Sequence, residues 1–407
     1  MKRLLFSAAL AATIFSGCCS SKEDATITAF KEVSSQVKQE VAPDTRVKIY
    51  DFNLENNSGT YILKGKTNDV KAKETLIAKL AEANIKFTDS TSMLPAAELG
   101  DKTYGVAVQS VINFRTAAGY SRESATQVMA GTPLRLLEKE SYWTRAITPE
   151  GYIAWVTSGS LHEMTKEEMQ AYTAAKKVVV TDKYVTITET SSANSLMVQD
   201  AVWGNILLDL GKKGNMHKVA LADGREGYLP ASSVESFDKW LDSRNPTADN
   251  IIATAKKFVG VPYMWGGTSI KAVDCSGFTK STYFLNGLIL ARDASQQCYT
   301  GDNIDINGYV NDNNYTVESL KNLKKGDLLF FGKKAANGNK ERISHVGIYI
   351  DNGIFIHSAT SVRINSLIPT DKNYYSNSKT LVRAQRILGN QDKGKGIESI
   401  TKSEYVK

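Results

Sequence analysis

The chain has 407 residues, 42% of them apolar and 23% charged, with 29 Gly and 8 Pro; at roughly 150 residues per domain that makes about three globular units, and it excludes a collagen-like, low-complexity or wholly disordered chain. The formal charge is +7, from 50 basic and 43 acidic residues. No run of five or more basic residues occurs, and no helix-turn-helix, zinc-finger or aromatic RNA-binding signature accompanies the charge, so no nucleic-acid partner is expected.

The first element is a leader. Met1-Lys2-Arg3 is followed by an almost wholly apolar stretch over residues 4–15 and then by Ser16-Gly17-Cys18, the order of a secretory signal that is too short to span a bilayer. A small pair followed at once by Cys resembles a bacterial lipobox, although Phe15 stands where Leu is commonest. The resemblance implies cleavage after residue 17, acylation of Cys18, and a membrane-anchored lipoprotein of the cell envelope, periplasmic or outer-membrane associated. The alternative is a plain signal peptide with an incidental cysteine.

Residues 18–45, polar from residue 20 and holding Pro43, read as a tether with some helix. Residues 46–54 and 61–64 alternate apolar and polar side chains. Val70, Leu76, Ile77 and Leu80 fall at helical spacing, and residues 85–87 follow as a short strand. This predicts a small α+β domain over 46–104, with no residue set that suggests chemistry.

Residues 105–170 and 176–240 then look like two diverged copies of one unit. The first has strand-like segments at 111–115, 132–137, 142–146 and 151–156, and the second at 184–188, 205–210, 217–220 and 224–229. Short strands at 8 to 12 residue spacing with turn residues between them predict small β-barrels. Each copy resembles a bacterial SH3 domain, in which a strand, a Gly-containing turn and an aromatic-bearing strand recur. The linker 242–247, with Pro246 ahead of the apolar stripe Ile251, Ile252, Ala255, Phe258 and Val259, opens a last unit over 247–390, followed by a tail over 391–407.

The chemistry concentrates in that unit. Tyr263-Met264-Trp265-Gly266-Gly267 leads to Asp274-Cys275-Ser276-Gly277-Phe278 and an apolar periodic segment, which places Cys275 in the first turn of a helix, where free N–H groups and the helix dipole favour a thiolate and depress the thiol pKa. Two of the four histidines, His345 and His357, lie on one predicted hairpin around Asp351-Asn352-Gly353. A two-residue Asn352-Gly353 loop sets His357 opposite Ile348, with the histidines on opposite faces; a three-residue loop sets His357 opposite Gly347 and diagonal to His345. Only the second register permits joint catalysis. His162 and His217 are taken as surface residues and Cys298 as a packed thiol. No third hard ligand lies in sequence reach of His345 and His357, so neither metal nor cofactor is expected.

Residues 250–390 resemble the NlpC/P60 family of papain-like cysteine peptidases. The matching pieces are the Tyr-x-Trp-Gly-Gly and Asp-Cys-Ser-Gly-Phe segments, Leu323 to Leu328 before Phe330-Phe331, Ser344 to Tyr349, and the later His357. The resemblance implies Cys275 as nucleophile, His345 as its base, His357 as the group that orients the imidazole, and Tyr263 with the Cys275 N–H as oxyanion donors. The barrels ahead of it narrow the resemblance to the γ-D-glutamyl-L-diamino acid endopeptidases of murein peptide recycling, which act on peptides with a free N-terminal L-Ala. That implies Glu123 and Tyr152 as part of an ammonium-binding wall, Trp265, Asp274 and Ser276 lining the rest, and Asp293 in contact with substrate. Ala294 departs from members with Ser there. The implied protein is a monomeric hydrolase whose partners are a peptidoglycan-derived peptide and, through its anchor, a membrane. The competing readings are a non-catalytic peptidoglycan-binding lipoprotein and an amidase or acyltransferase on the same fold.

Overall fold

The computed structural model describes residues 24–192, 194–306, 315–335 and 341–407, so the leader and Cys18 lie outside the described residues. The described residues form two compact units, one from those up to 43 together with 50–92, the other from 44–49 together with those from 93 onward.

In the first unit, Ala25–Val41 is one continuous helix where a tether with some helix was expected. Asp24 caps it by accepting from the Thr26 and Ile27 amides, and Phe30, Ser34, Val37 and Val41 are buried. Their spacing of four, three and four places all four on one face. Phe30, Val37 and Val41 share a core with Leu76 and Leu80 of a second helix, Val70–Glu82, and with Leu54 and Leu63. The sheet holds Tyr50–Asn57, Thr60–Thr67 and Thr88–Met93 in that order. The third strand therefore begins later than residues 85–87, and residues 44–49 belong with the larger unit.

The larger unit contains two seven-stranded antiparallel sheets with one topology. The first uses strands between Tyr104 and Met164, the second strands between Lys177 and Ser236. In both, the strands counted in chain order lie side by side as third, second, sixth, fifth, fourth, first, seventh. Phe114, Leu134, Leu136 and Val156 fill the first sheet's core, and Val180, Ile187, Leu207 and Leu229 the second's. The segments read from the sequence recur as strands. Ser124–Met129, Met197–Val202 and the outer strands were not read, because they mix small, polar and apolar residues without clean alternation.

The last part is a six-stranded antiparallel sheet in the order Asp302–Ile304, Leu381–Arg386, Leu328–Lys333, Arg342–Asp351, Ile354–Ala359, Ser361–Ser366. The helix Cys275–Phe284 packs on it, and helix Ala248–Lys257, capped by Thr247, packs on that helix through Ile251, Ala255, Phe258 and Phe278. The histidine hairpin resolves its two registers in a third way. Asp351 pairs with Ile354, so the turn is the two-residue Asn352-Gly353, with φ of 49° and 82°. A bulge at Ile350 then adds one residue, and His357 falls opposite Gly347 after all.

Candidate active site

Cys275 is the first residue of its helix, and Asp274 is the N-cap. Asp274 Oδ1 accepts from the Gly277 amide at 2.6 Å, and its Oδ2 accepts from the Gly266 amide at 2.9 Å and from Arg292 Nη2 at 2.6 Å. The glycines of both motifs are explained by close approach. A Cβ at Gly277 would lie 1.9 Å from the Gly267 carbonyl oxygen, and one at Gly266, where φ is +83°, would lie 2.3 Å from Ser124 Oγ. Arg292 is almost fully buried and also donates to Ser276 Oγ at 3.0 Å and Thr126 Oγ1 at 2.8 Å. It thereby ties the helix that begins at Cys275 to a strand of the first sheet. Thr268 adds two bonds to Gln127 of the same strand.

The thiol is buried against the backbone N–H groups of Val346 and Ser276. Those groups and Arg292 favour the thiolate, but burial and then Asp274 outweigh them and push the thiol up to about 12. This reverses the depressed value expected from the helix terminus: desolvation of a charge at a nearly closed position exceeds the help of one helix end. His345 is beside Val346. Its Nε2 meets His357 Nδ1 at 2.7 Å, and His357 Nε2 meets Asn365 Oδ1 at 3.0 Å. Asn365 Nδ2 donates to the Asn373 carbonyl at 2.8 Å. Burial, then His357 and Arg363, bring His345 down to about 3. Burial brings His357 down to about 4, against the Asn365 bond. The rings pack with Tyr375, whose centroid is 4.8 Å from that of His357. Tyr263 pairs with Val273, just ahead of Asp274. Burial, then Cys275, raise its phenol well above the usual range, so it remains an O–H donor.

A cavity of about 360 Å³ opens beside Cys275. All six residues expected to contact substrate line it: Glu123, Tyr152, Trp265, Asp274, Ser276 and Asp293. A larger cavity of about 510 Å³ near Glu150 and Asp392 holds no cysteine or histidine. Tyr152 serves two purposes, since its ring is buried in the first sheet's core while its Oη donates to Asp293 Oδ2 at 3.2 Å. Asp293 is also engaged by Arg46 Nη1 at 2.7 Å and caps the short helix Ala294–Gln297. Asp274 and Asp293 are each paired with an arginine, so Glu123 is the lining carboxylate without an ion pair among the described residues.

Arg46 and Asn365 were missed in the sequence. No local signal marks Arg46, which lies 247 positions from Asp293. Strand parity could have found Asn365: His357 pairs with Arg363, so Asn365 is one step along on the same face. His217, expected as a surface residue, meets Asp209 at 2.6 Å. Cys298 is buried and donates to the Ser295 carbonyl. Among the described residues no group of three His, Cys, Asp or Glu is arranged to hold a metal ion, and no helix is long and apolar enough to cross a membrane.

Comparison with known proteins supplies relatives for both parts. The NlpC/P60 family model matches residues 260–384, and the bacterial SH3 domain model matches residues 110–162. The gamma-D-glutamyl-L-lysine dipeptidyl-peptidase of Bacillus cereus is 27% identical over 258 residues, covering 61% of this chain and 72% of that protein. The murein DD-endopeptidase MepS/murein LD-carboxypeptidase of Escherichia coli is 30% identical over 175 residues, covering 43% of this chain and 80% of its own length. The crystal structure of an NlpC/P60 family protein from Bacillus cereus shares the fold, with a TM-score of 0.58 at 23% identity over 70% of this chain and 99% of that one.

Proposed function

The chain belongs to the NlpC/P60 family of cysteine peptidases, and we propose that it hydrolyses the amide between γ-D-glutamate and a diamino acid, lysine or diaminopimelate, in murein peptides with a free N-terminal L-alanine. The observation that carries this reading is the line of bonds behind Cys275 together with a cavity whose unpaired charge is a single carboxylate.

The line fixes the tautomers. The Asn373 carbonyl can only accept, so Asn365 turns its NH₂ to that carbonyl and its oxygen to His357. His357 Nε2 must then carry a hydrogen, which leaves Nδ1 to accept from His345 Nε2–H. His345 Nδ1 is therefore the ring nitrogen with a free lone pair for the thiol. The base takes the Cys275 proton as sulfur attacks the substrate carbonyl and returns it to the leaving amine; water then releases the acyl group by the same route. Burial favours the neutral form of both thiol and imidazole, so proton transfer accompanies attack. Tyr263 O–H and the Cys275 N–H donate to the developing oxyanion.

The remaining assignments rest on the same reading. Glu123 receives the α-ammonium of the alanine, Tyr152 and Asp293 form the wall beside it, and Trp265, Asp274 and Ser276 line the path to sulfur. The shared strand order of the two seven-stranded sheets supports two SH3-type barrels, at 105–170 and 176–240, ahead of a catalytic domain at 247–390. The basic and apolar start of the chain supports export, with an anchor on Cys18 in the cell envelope.

The test is mass spectrometry of L-Ala-γ-D-Glu-L-Lys and its diaminopimelate counterpart incubated with protein lacking residues 1–20. Release of the L-Ala-γ-D-Glu dipeptide supports the reading; cleavage at another amide overturns it. Asn365 adds a separate expectation. Asn365→Leu removes the acceptor that sets both tautomers, so kcat falls about tenfold or more with KM unchanged. Asn365→Asp, which still accepts, keeps most of the activity. Equal kcat in the wild type and the Leu variant would remove Asn365 from the mechanism.

A further inference from the structure

Residues 44–49 lie outside both matched regions, yet one of them, Arg46, lines the cavity. The segment is held at several points. The Ile153 amide donates to the Arg46 carbonyl at 2.7 Å, and Ile49 is buried with Leu137, Ile147 and Ile153. Asp44 accepts from Arg46 Nε and Nη2, each at 2.8 Å, and from Gln296 Nε2 at 2.8 Å. Arg46 Nη1 then spans to Asp293 Oδ2 and Ser295 Oγ. Four of the five guanidinium N–H groups are used within the protein, so Arg46 is a fixed part of the wall and not a cation waiting for substrate.

Its place follows from the bonded sequence leading away from sulfur. Cys275 adjoins Asp274, Asp274 pairs with Arg292, Arg292 adjoins Asp293, and Asp293 is held by Tyr152 and Arg46. Arg46 and Asp44 end that line.

We propose that the segment Asp44–Ile49 is a strap that closes the cavity behind the peptide's N-terminal residue, with Arg46 as a specificity-determining residue that excludes peptides acylated or extended at that end. This rests on the reading that the acyl side of a short peptide fills the cavity. The strap supplies shape where Glu123 supplies charge: a carboxylate favours a free ammonium, but only a wall refuses the added atoms of an acyl group.

The two contributions separate by experiment. Removing Arg46 also unmasks Asp293, and a second anion strengthens binding of a free ammonium; a neutral acetamide has no charge to pair with it and gains at most one amide hydrogen bond. Affinity for the acetylated ligand therefore reads chiefly the wall. The measurement is calorimetric binding of L-Ala-γ-D-Glu-L-Lys and its N-acetyl form to Cys275→Ala protein, with and without Arg46→Ala.

The expected result is that Cys275→Ala protein binds the free peptide only, and that Arg46→Ala raises affinity for the acetylated form about tenfold or more, the scale of a wall that admits a few extra atoms. Arg46→Lys, which can still reach Asp293, keeps most of the exclusion. If acetylated peptide is refused equally with and without Arg46, the strap is not the gate, although the free-amine reading stands. If Cys275→Ala protein binds both peptides alike, or neither, the free-amine reading fails and the strap proposal falls with it. Thermal melts of each variant report folding, and Arg46→Ser provides a second small side chain should Arg46→Ala unfold.

Discussion

Cys275→Ala should abolish dipeptide release, lowering kcat by about 10⁴-fold or more, because the acyl-enzyme cannot form and the base is left without its nucleophile. Mass spectrometry of the tripeptide digest checks it, and cleavage by the variant at the wild-type rate would sink the assignment. The same cysteine carries a pH expectation whose sign is fixed by burial. The charges bearing on the thiol are Asp274 and Arg292, and those bearing on His345 are His357 and Arg363. Burial disfavours the charged form of both partners, moving the thiol up to about 12 and His345 down to about 3. The pair is neutral between those limits. The acid limb of kcat/KM should therefore lie well below the ordinary histidine range, since the free enzyme loses its base only when His345 and His357 protonate. Alkylation of Cys275 by iodoacetamide should keep rising with pH above 8. A flat alkylation rate from pH 5 to 8 would mean a resting thiolate-imidazolium pair and would overturn the neutral-pair mechanism.

How much of this was readable in the sequence depended on the range over which each feature is determined. Cys275 at a helix start, the two histidines on a hairpin and the motif glycines are local facts, set by the spacing of a few residues. The hairpin register was not. Turn composition marks Asp351-Asn352-Gly353 but leaves the loop length open; the bulge at Ile350 gives the two-residue turn the pairing expected of the three-residue one, and nothing in Ile348-Tyr349-Ile350-Asp351 announces a bulge. The helix Ala25–Val41 was underestimated in a different way. Its polar average reads as a tether with some helix, while four residues at 4-3-4 spacing are enough to bury one face along its whole length. The thiol's pKa was read in the wrong direction from the helix terminus alone, because it depends on how tightly distant strands close over that terminus. Arg46 belongs to the same class: its contact with Asp293 joins residues 247 positions apart, and only the assembled fold brings them to one cavity.

Glu123 carries the second large expectation. The charged residues lining the cavity are Arg46, Glu123, Asp274, Arg292 and Asp293. Two carboxylates are neutralised by Arg292 and Arg46, so the site presents its remaining negative charge at Glu123. This residue is exposed in the free protein, so its interaction with an ammonium is screened until the peptide seats and excludes water; bound, the pair is worth more than a surface ion pair. Glu123→Ala should weaken binding of L-Ala-γ-D-Glu-L-Lys by about 2 to 4 kcal/mol, seen as a raised KM with kcat held, and N-acetylation of the peptide should abolish cleavage. The two changes remove the same contact from opposite sides, so they should not add. An acetylated peptide that binds Glu123→Ala and wild type equally poorly completes the cycle and assigns the ammonium to Glu123. Acetylated and free peptides cleaved at similar rates by wild type would mean that the enzyme reads the γ-glutamyl bond itself and is indifferent to the chain end.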